Sequence, residues 1–187
     1  MVRLTRMTEL PRDRVALELD GHPWRVVPAN AVVRASLRIG EDLDRTRLRE
    51  LRRELRRAEA GGIATRVLAR RDATRAELAL RLERRGIDAP LRKETLDRLE
   101  DSGLVDDGRF AAGRAEQLAE RGYGDEAIRF DLEQRGAEGE AVRAALERLE
   151  PEAERARRLI EKRGGGTRTA TFLARRGFGE DAVQLAL

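Results

Sequence analysis

Three times in this chain a stretch with helical spacing closes on an arginine–glycine pair that has a leucine four residues before the glycine. The copies are Leu82 with Arg85-Gly86, Leu132 with Arg135-Gly136, and Leu173 with Arg176-Gly177. A basic residue in the last turn favours the negative end of a helix, and glycine after it can take the left-handed C′ position. After the glycine, the second and third copies share Val at +6 (Val142, Val183) and Leu at +10 (Leu146, Leu187). The first copy keeps Leu96 and Leu99 at +10 and +13 but has Leu91 at +5. A helix around Phe110 separates copies one and two, and "PEAERARRLIEKR" (151–163) separates copies two and three. The unit is therefore three short helices in about 40 to 50 residues, and the last copy stops before its third helix. Repeats of this kind stack on their neighbours. The expected fold is mainly α: tandem three-helix repeats forming an elongated curved body, with a small N-terminal β-hairpin plus helix.

The first sixty residues follow a different pattern. In "RVALELDGHPWRVV" (14–27), Val15, Leu17 and Leu19 alternate with polar positions, Asp20-Gly21 is a hairpin turn signal, and Trp24, Val26 and Val27 return. A short helix follows Pro28. Asp44 is placed as the N-cap of a helix carrying Leu48, Leu51 and Leu55, with Arg47, Arg49, Arg52, Arg53, Arg56 and Arg57 on its other faces. Interleaved Glu50, Glu54 and Glu59 mark those faces as solvated and ion-paired. Gly61-Gly62 reads as its stop, and a new helix starts at Ile63. The expected divisions are 1–62 (hairpin and Arg-rich helix), 63–123 (first repeat), 124–163 (second repeat) and 164–187 (truncated third repeat). "RGGGTRT" (163–169) reads as a flexible joint; no strand precedes it and no GxxxxGK[ST] is present, so a nucleotide loop is not supported.

Composition narrows the function. Of 39 basic residues all but Lys93 and Lys162 are arginine, against 35 acidic residues, for a net charge of +4. Arginine forks fit phosphates and carboxylates bidentately and stack on bases and rings, so the expected partner is DNA or an acidic protein groove. There is no cysteine, which excludes disulfides and thiolate chemistry. The single His22 has no partners for a metal site. No apolar run is long enough for a membrane span, and the N-terminus has no apolar leader core. The chain is expected to be cytoplasmic, not associated with membranes, monomeric and without a cofactor.

The one segment that raises a catalytic question is "GLVDDGRFA" (103–111). Gly103 suits a left-handed cap with Leu104 folding back as its apolar contact, Asp106 suits the N-cap of the next helix, and Asp107 its first turn. Both carboxylates thus have structural work, and no histidine, third carboxylate or Gly-rich loop accompanies them. The candidate binding residues are basic instead: Arg84, Arg85, Arg135, Arg175 and Arg176 at the helix ends, Arg114 on the Phe110 helix, and Arg121 with Tyr123 flanking Gly122. If the repeats stack in register they form a basic row along one edge; as caps they need no partner. Phe110, Phe130, Phe172 and Phe178 sit near the leucine stripes and read as core.

Several of these segments resemble the RecX regulatory proteins of bacteria: Thr74-x-x-Glu77-Leu78 leading to Leu82-x-x-Arg85-Gly86, "GLVDDGRFA", "GDEAIRFDLEQRG" (124–136) and "FLARRGFGEDAV" (172–183). The resemblance covers residues 74–187; residues 14–60 are similar to that family's more variable N-terminal region. Two departures are Leu91 at +5 and Ala137 where an aromatic or Ile is usual. The resemblance implies a non-enzymatic modulator of RecA that binds along the RecA–DNA filament on single-stranded DNA and lowers ATPase, strand exchange and SOS coprotease activity. The alternative is a protein that binds DNA directly through helix-turn-helix-like tri-helical units.

Overall fold

The computed structural model describes residues 1–187. It divides into two compact units, residues 1–69 with 81–97, and residues 70–80 with 98–187. It is mostly helical, with one small N-terminal sheet.

The first unit contains strands β1 (Val2–Leu10), β2 (Arg14–Leu19), β3 (His22–Pro28) and β4 (Asp42–Leu43), and helices α1 (Ala29–Arg34) and α2 (Arg45–Leu68). The sheet is antiparallel in the order β3-β2-β1-β4. The hairpin expected at 14–27 is its β2–β3 half, turning at left-handed Asp20 and Gly21. β1 and β4 were not expected. In β1 the apolar phase shifts from Val2 and Leu4 to Met7 because the register slips between Leu4 and Arg6, and a bulge of this kind erases the period of two. Leu4, Leu17, Val27 and Leu43 pack with Leu51 and Leu55 of α2 to form the unit's core.

Asp44 caps α2 as expected, accepting the Arg47 N–H at 2.7 Å. The Gly61-Gly62 stop does not occur: α2 continues through both glycines to Leu68 and absorbs the separate helix expected from Ile63. Each interior glycine costs about 1 kcal/mol relative to alanine. Burial of Ile63 alone returns about 1.5–3 kcal/mol, and Ala60 and Ala64 are buried beside it. The Thr65 hydroxyl also donates to the Gly61 carbonyl at 2.9 Å.

Eight further helices follow: α3 (Arg75–Glu83), α4 (Ala89–Asp101), α5 (Asp107–Glu120), α6 (Asp125–Gln134), α7 (Gly139–Glu147), α8 (Glu152–Arg163), α9 (Thr167–Arg175) and α10 (Glu180–Gln184). α3 and α4 pass from one unit into the other. The recurring leucines Leu82, Leu132 and Leu173 are fully buried. In the second unit, Phe110, Leu118, Ile128, Leu132 and Val142 form one apolar cluster. Leu173, Phe178 and Ala182 form another. Phe130, expected in the core, is 64% exposed on α6, and Leu187, the last +10 leucine, is 75% exposed because α10 has already ended. The residue RGGGTRT segment is tied down rather than left as a joint: Gly166 N–H donates to the Ala186 carbonyl at 2.5 Å and the Thr169 hydroxyl to Gly164 at 2.6 Å.

The arginine–glycine ends are left-handed caps and also docking points. Gly177 has φ +74°, and a β-carbon there would lie 2.6 Å from both the backbone nitrogen and the β-carbon of Ala127 in the first turn of α6. The α6 N–H groups use the C-cap carbonyls of α9: Gly124 donates to Arg176 at 2.9 Å and Glu126 to Gly177 at 3.1 Å. The same junction recurs one repeat earlier. Gly136, also left-handed, lies directly on Ala76 of α3, and the Thr74 hydroxyl donates to the Arg135 carbonyl. Thr74 also accepts the Glu77 N–H at 3.1 Å, which is half of the expected capping box. The other half is missing because the Glu77 carboxylate pairs with Arg71 at 2.7 Å and Arg135 at 3.2 Å.

A charged network joins the same helices. Asp131 of α6 receives a bidentate pair from Arg114 of α5, both bonds 2.8 Å, and a third bond from Arg135 at 2.9 Å. The Arg114 fork, followed by Arg135, holds the Asp131 carboxyl down at about 2.

Two stability predictions follow from these contacts. Gly103→Ala tests the left-handed backbone alone, since φ is +69° and nothing lies within 4 Å of the added carbon; a loss of about 1 kcal/mol is expected. Gly177→Ala adds the clash with Ala127 and should lose about 3 kcal/mol or more in chemical denaturation. Equal losses would disprove the docking role. For Asp131, the folded pKa lies below the unfolded value. Its contribution, on the order of 1–2 kcal/mol, is therefore present above pH 4 and lost as pH falls through about 2. Wild type and Asp131→Asn should differ at neutral pH and converge in acid; a gap independent of pH would rule out the ionic origin.

A candidate partner-binding surface

The candidate residues separate into three groups. Arg114 and Arg135 sit in the Asp131 network and are half-buried. With Arg71 and Arg109 they line a cleft of about 360 Å³ over Phe110, but all four guanidiniums have carboxylate partners. Arg84 and Arg85 belong to the first unit, where both are exposed and form no ion pair. Arg121, Tyr123 and Arg176 come together in the second unit, with exposed Arg175 next to Arg176 in sequence.

This third group is a stack of rings and guanidiniums. The Arg176 guanidinium lies 4.6 Å from the Tyr123 ring centre and 5.2 Å from that of Phe172. Arg163, the last residue of α8, lies 3.9 Å from the Phe172 centre, and Arg121 lies 5.9 Å from that of Tyr123. Arg176 is fixed by a 3.0 Å bond to the Arg121 carbonyl. The local sequence explains the arrangement: Arg121-Gly122, Arg163-Gly164 and Arg176-Gly177 all end helices, so each arginine projects from a C-terminal turn. Each exposed cation–π contact contributes about 0.5–1 kcal/mol. None of Arg121, Arg163, Arg175 and Arg176 has a carboxylate within ion-pair distance, although most arginines on α5, α6 and α8 are paired. The surface therefore presents unneutralised forks on an aromatic support, suited to carboxylates, phosphates or flat rings.

Sequence reasoning missed Arg163 and Phe172 as parts of this group. The Arg163-Gly164 pair carried the same signal as the other helix ends, but it lay in the segment read as a joint. It also missed Arg155, which is only 5% exposed. Arg155 donates to the carbonyls of Tyr123 (2.9 Å) and Glu150 (3.0 Å) and pairs with Asp125. It fixes the backbone at Tyr123 and makes no claim on a ligand.

The carboxylates of "GLVDDGRFA" have the structural roles expected. Asp106 accepts the Arg109 N–H at 2.8 Å and caps α5. Asp107 reaches across to accept the Arg75 N–H at 2.8 Å, so it caps α3 as well; burial pushes its carboxyl above the ordinary range. Glu152, at the same place in α8, accepts the Asp125 N–H at 2.6 Å and the Gly179 N–H at 3.0 Å. Gly103 is left-handed as expected, but the buried residue behind the cap is Val105, while Leu104 is 50% exposed.

No family model matches the chain. Over 133 residues it is 40% identical to regulatory protein RecX of Halorhodospira halophila (strain DSM 244 / SL1), covering 66% of this chain and 83% of that protein. It is 40% identical over 92 residues to regulatory protein RecX of Mycobacterium sp. (strain KMS), covering 41% of this chain and 50% of the relative. Among solved structures, a crystal structure of regulatory protein RecX superposes with a TM-score of 0.76 at 20% identity, over 100% of this chain and 98% of the other. RecX from Lactobacillus salivarius superposes at 0.62 and 18% identity, over 70% and 94%. These two structures share the fold; the likeness to the H. halophila protein, across most of its length, shows that this chain belongs to the RecX family of regulatory proteins.

Proposed function

We propose that this protein is a cytoplasmic, non-enzymatic regulator that binds the RecA filament on single-stranded DNA and lowers its ATPase, strand exchange and coprotease activity. Membership of the RecX family supports the regulatory role. The observation that carries the mechanism is the stack of Arg121, Tyr123, Arg163, Phe172 and Arg176, whose guanidiniums have no acidic partner in the chain. Such a surface is complementary to the carboxylates of an acidic groove and the phosphates beneath it. The rigid base is supplied by the α6–α9 junction and by Arg155, so binding needs little ordering of the backbone.

The same surface supports a second reading, direct binding of a DNA strand, because arginine-flanked rings are a stacking platform for bases. The two readings differ in salt dependence and in their need for RecA. Direct phosphate contact weakens steeply with salt through counterion release.

The test is RecA's ATPase on single-stranded DNA, with RecA from the same source, as the full chain is titrated in. Inhibition at substoichiometric amounts is expected. Arg121→Glu/Arg163→Glu/Arg175→Glu should keep its helicity and shift the inhibition midpoint upward by about tenfold or more, the scale of removing a few charged contacts. Arg84→Glu/Arg85→Glu tests the arginines of the other unit separately. No inhibition by wild type, together with tight salt-sensitive binding to naked DNA, would replace the first reading with the second.

A further inference from the structure

The first unit holds a second basic concavity. A cleft of about 660 Å³ opens between the β1–β2 turn, β3 and α2. Four arginines line it: Arg12 in the turn, Arg14 at the start of β2, Arg25 on β3 and Arg66 on α2. Two carboxylates, Asp13 and Glu59, also border it, leaving an excess of 4 − 2 = 2 positive charges. Glu59 is already engaged at 3.9 Å by Arg56. Arg14 spends one N–H on the Val26 carbonyl at 3.2 Å. Arg12, Arg25 and Arg66 form no ion pair. Two other arginines of the unit are neutralised: Arg47 is held by Glu41 and Glu50, and Arg57 by Glu54 and Glu94.

Two features position the arginines at the cleft. Arg12 and Asp13 both have left-handed backbones, φ +64° and +53°, in a turn without glycine. The tight β1–β2 turn requires left-handed residues, and Arg12 holds one of these positions although the conformation disfavours L side chains other than Asn and Asp. The turn is pinned from behind, where the Asp13 carbonyl accepts the Ala29 N–H at 2.8 Å. The pinned turn sets Arg12 at the rim of the cleft. Leu55 and Ala58 of α2, both buried, form an apolar floor. Forks that grip oxyanions above an apolar floor match the phosphate of a nucleotide unit, and the volume falls within the range of small-molecule sites.

We propose that this cleft is a binding site for a phosphate-bearing ligand, either a free nucleotide or one nucleotide unit of a nucleic-acid strand. Arg12, Arg25 and Arg66 grip the phosphate. The site lies wholly within the first unit and is independent of the arginine–aromatic stack.

The experiment is amide NMR on the full chain, titrated separately with inorganic phosphate, ATP and hexathymidylate. Shifts should concentrate at residues 12–14, 25–26 and 62–66. ATP and hexathymidylate binding with similar affinity would identify a free nucleotide as sufficient; hexathymidylate binding about tenfold tighter would identify a strand. Both outcomes support the site. Arg12→Gly separates binding from structure. Glycine relieves the left-handed strain, so the melting temperature should rise, while affinity at this cleft should fall about tenfold through loss of one charged grip. Arg66→Gln should lose affinity similarly without changing the turn. No shifts at these amides with any of the three probes, or affinities unchanged in both variants, would overturn the proposal.

Discussion

Where α9 ends against the start of α6, and where α6 ends against the start of α3, no room exists for a β-carbon between the two chains. Glycine at 136 and 177 turns the backbone left-handed and lets a helix C-terminus meet another helix's N-terminus at bonding distance. At Gly177 two carbonyls accept N–H groups from the start of α6, at Gly136 the Arg135 carbonyl accepts the Thr74 hydroxyl, and each meeting sets the negative end of one dipole against the positive end of the next. One further N–H at each helix start is taken by an acid from the third helix of a repeat, Asp107 at Arg75 and Glu152 at Asp125. The apolar clusters around Leu132 and Leu173 lie behind these junctions, so the helix ends set which buried faces come together.

The arginines then divide by what stands next to them. Arg114 and Arg135 meet Asp131 and become internal ties; Arg155 is enclosed by carbonyls and Asp125. Arg121, Arg163 and Arg176 project from helix ends over rings and meet no acid. The same side chain is therefore spent inside the fold or left open at the surface according to the pairing of its fork. That the two carboxylates of "GLVDDGRFA" cap two different helices removes the strongest sequence hint of an active site.

Much of this was legible along the chain. The leucines at 82, 132 and 173, the left-handed glycines after them, the Asp44 and Asp106 caps and the β2–β3 hairpin all depend on contacts within a few residues, where spacing and side-chain chemistry suffice. β1 was not legible because its bulge breaks the alternation that identifies a strand. The continuity of α2 through Gly61-Gly62 was not legible either, since burial of Ile63 and its neighbours outweighs a local preference to stop. Phe130 follows the leucine stripe in sequence but points to solvent, because an α-helix at 3.6 residues per turn leaves it off the buried face of Ile128 and Leu132.

The sequence by itself determined the helical repeat, its caps and the arginine-for-lysine chemistry, since each rests on local spacing or composition, and its motifs carried the resemblance to RecX proteins. The tertiary structure decided which arginines are spent. Pairing with Asp131 or Asp125, stacking on Tyr123 and Phe172, and convergence on the cleft between β3 and α2 all join residues far apart in the chain. Charge neutralisation acts over a few ångströms of space, not along the chain, so the function of each guanidinium depended on the packing that brought it to its neighbours.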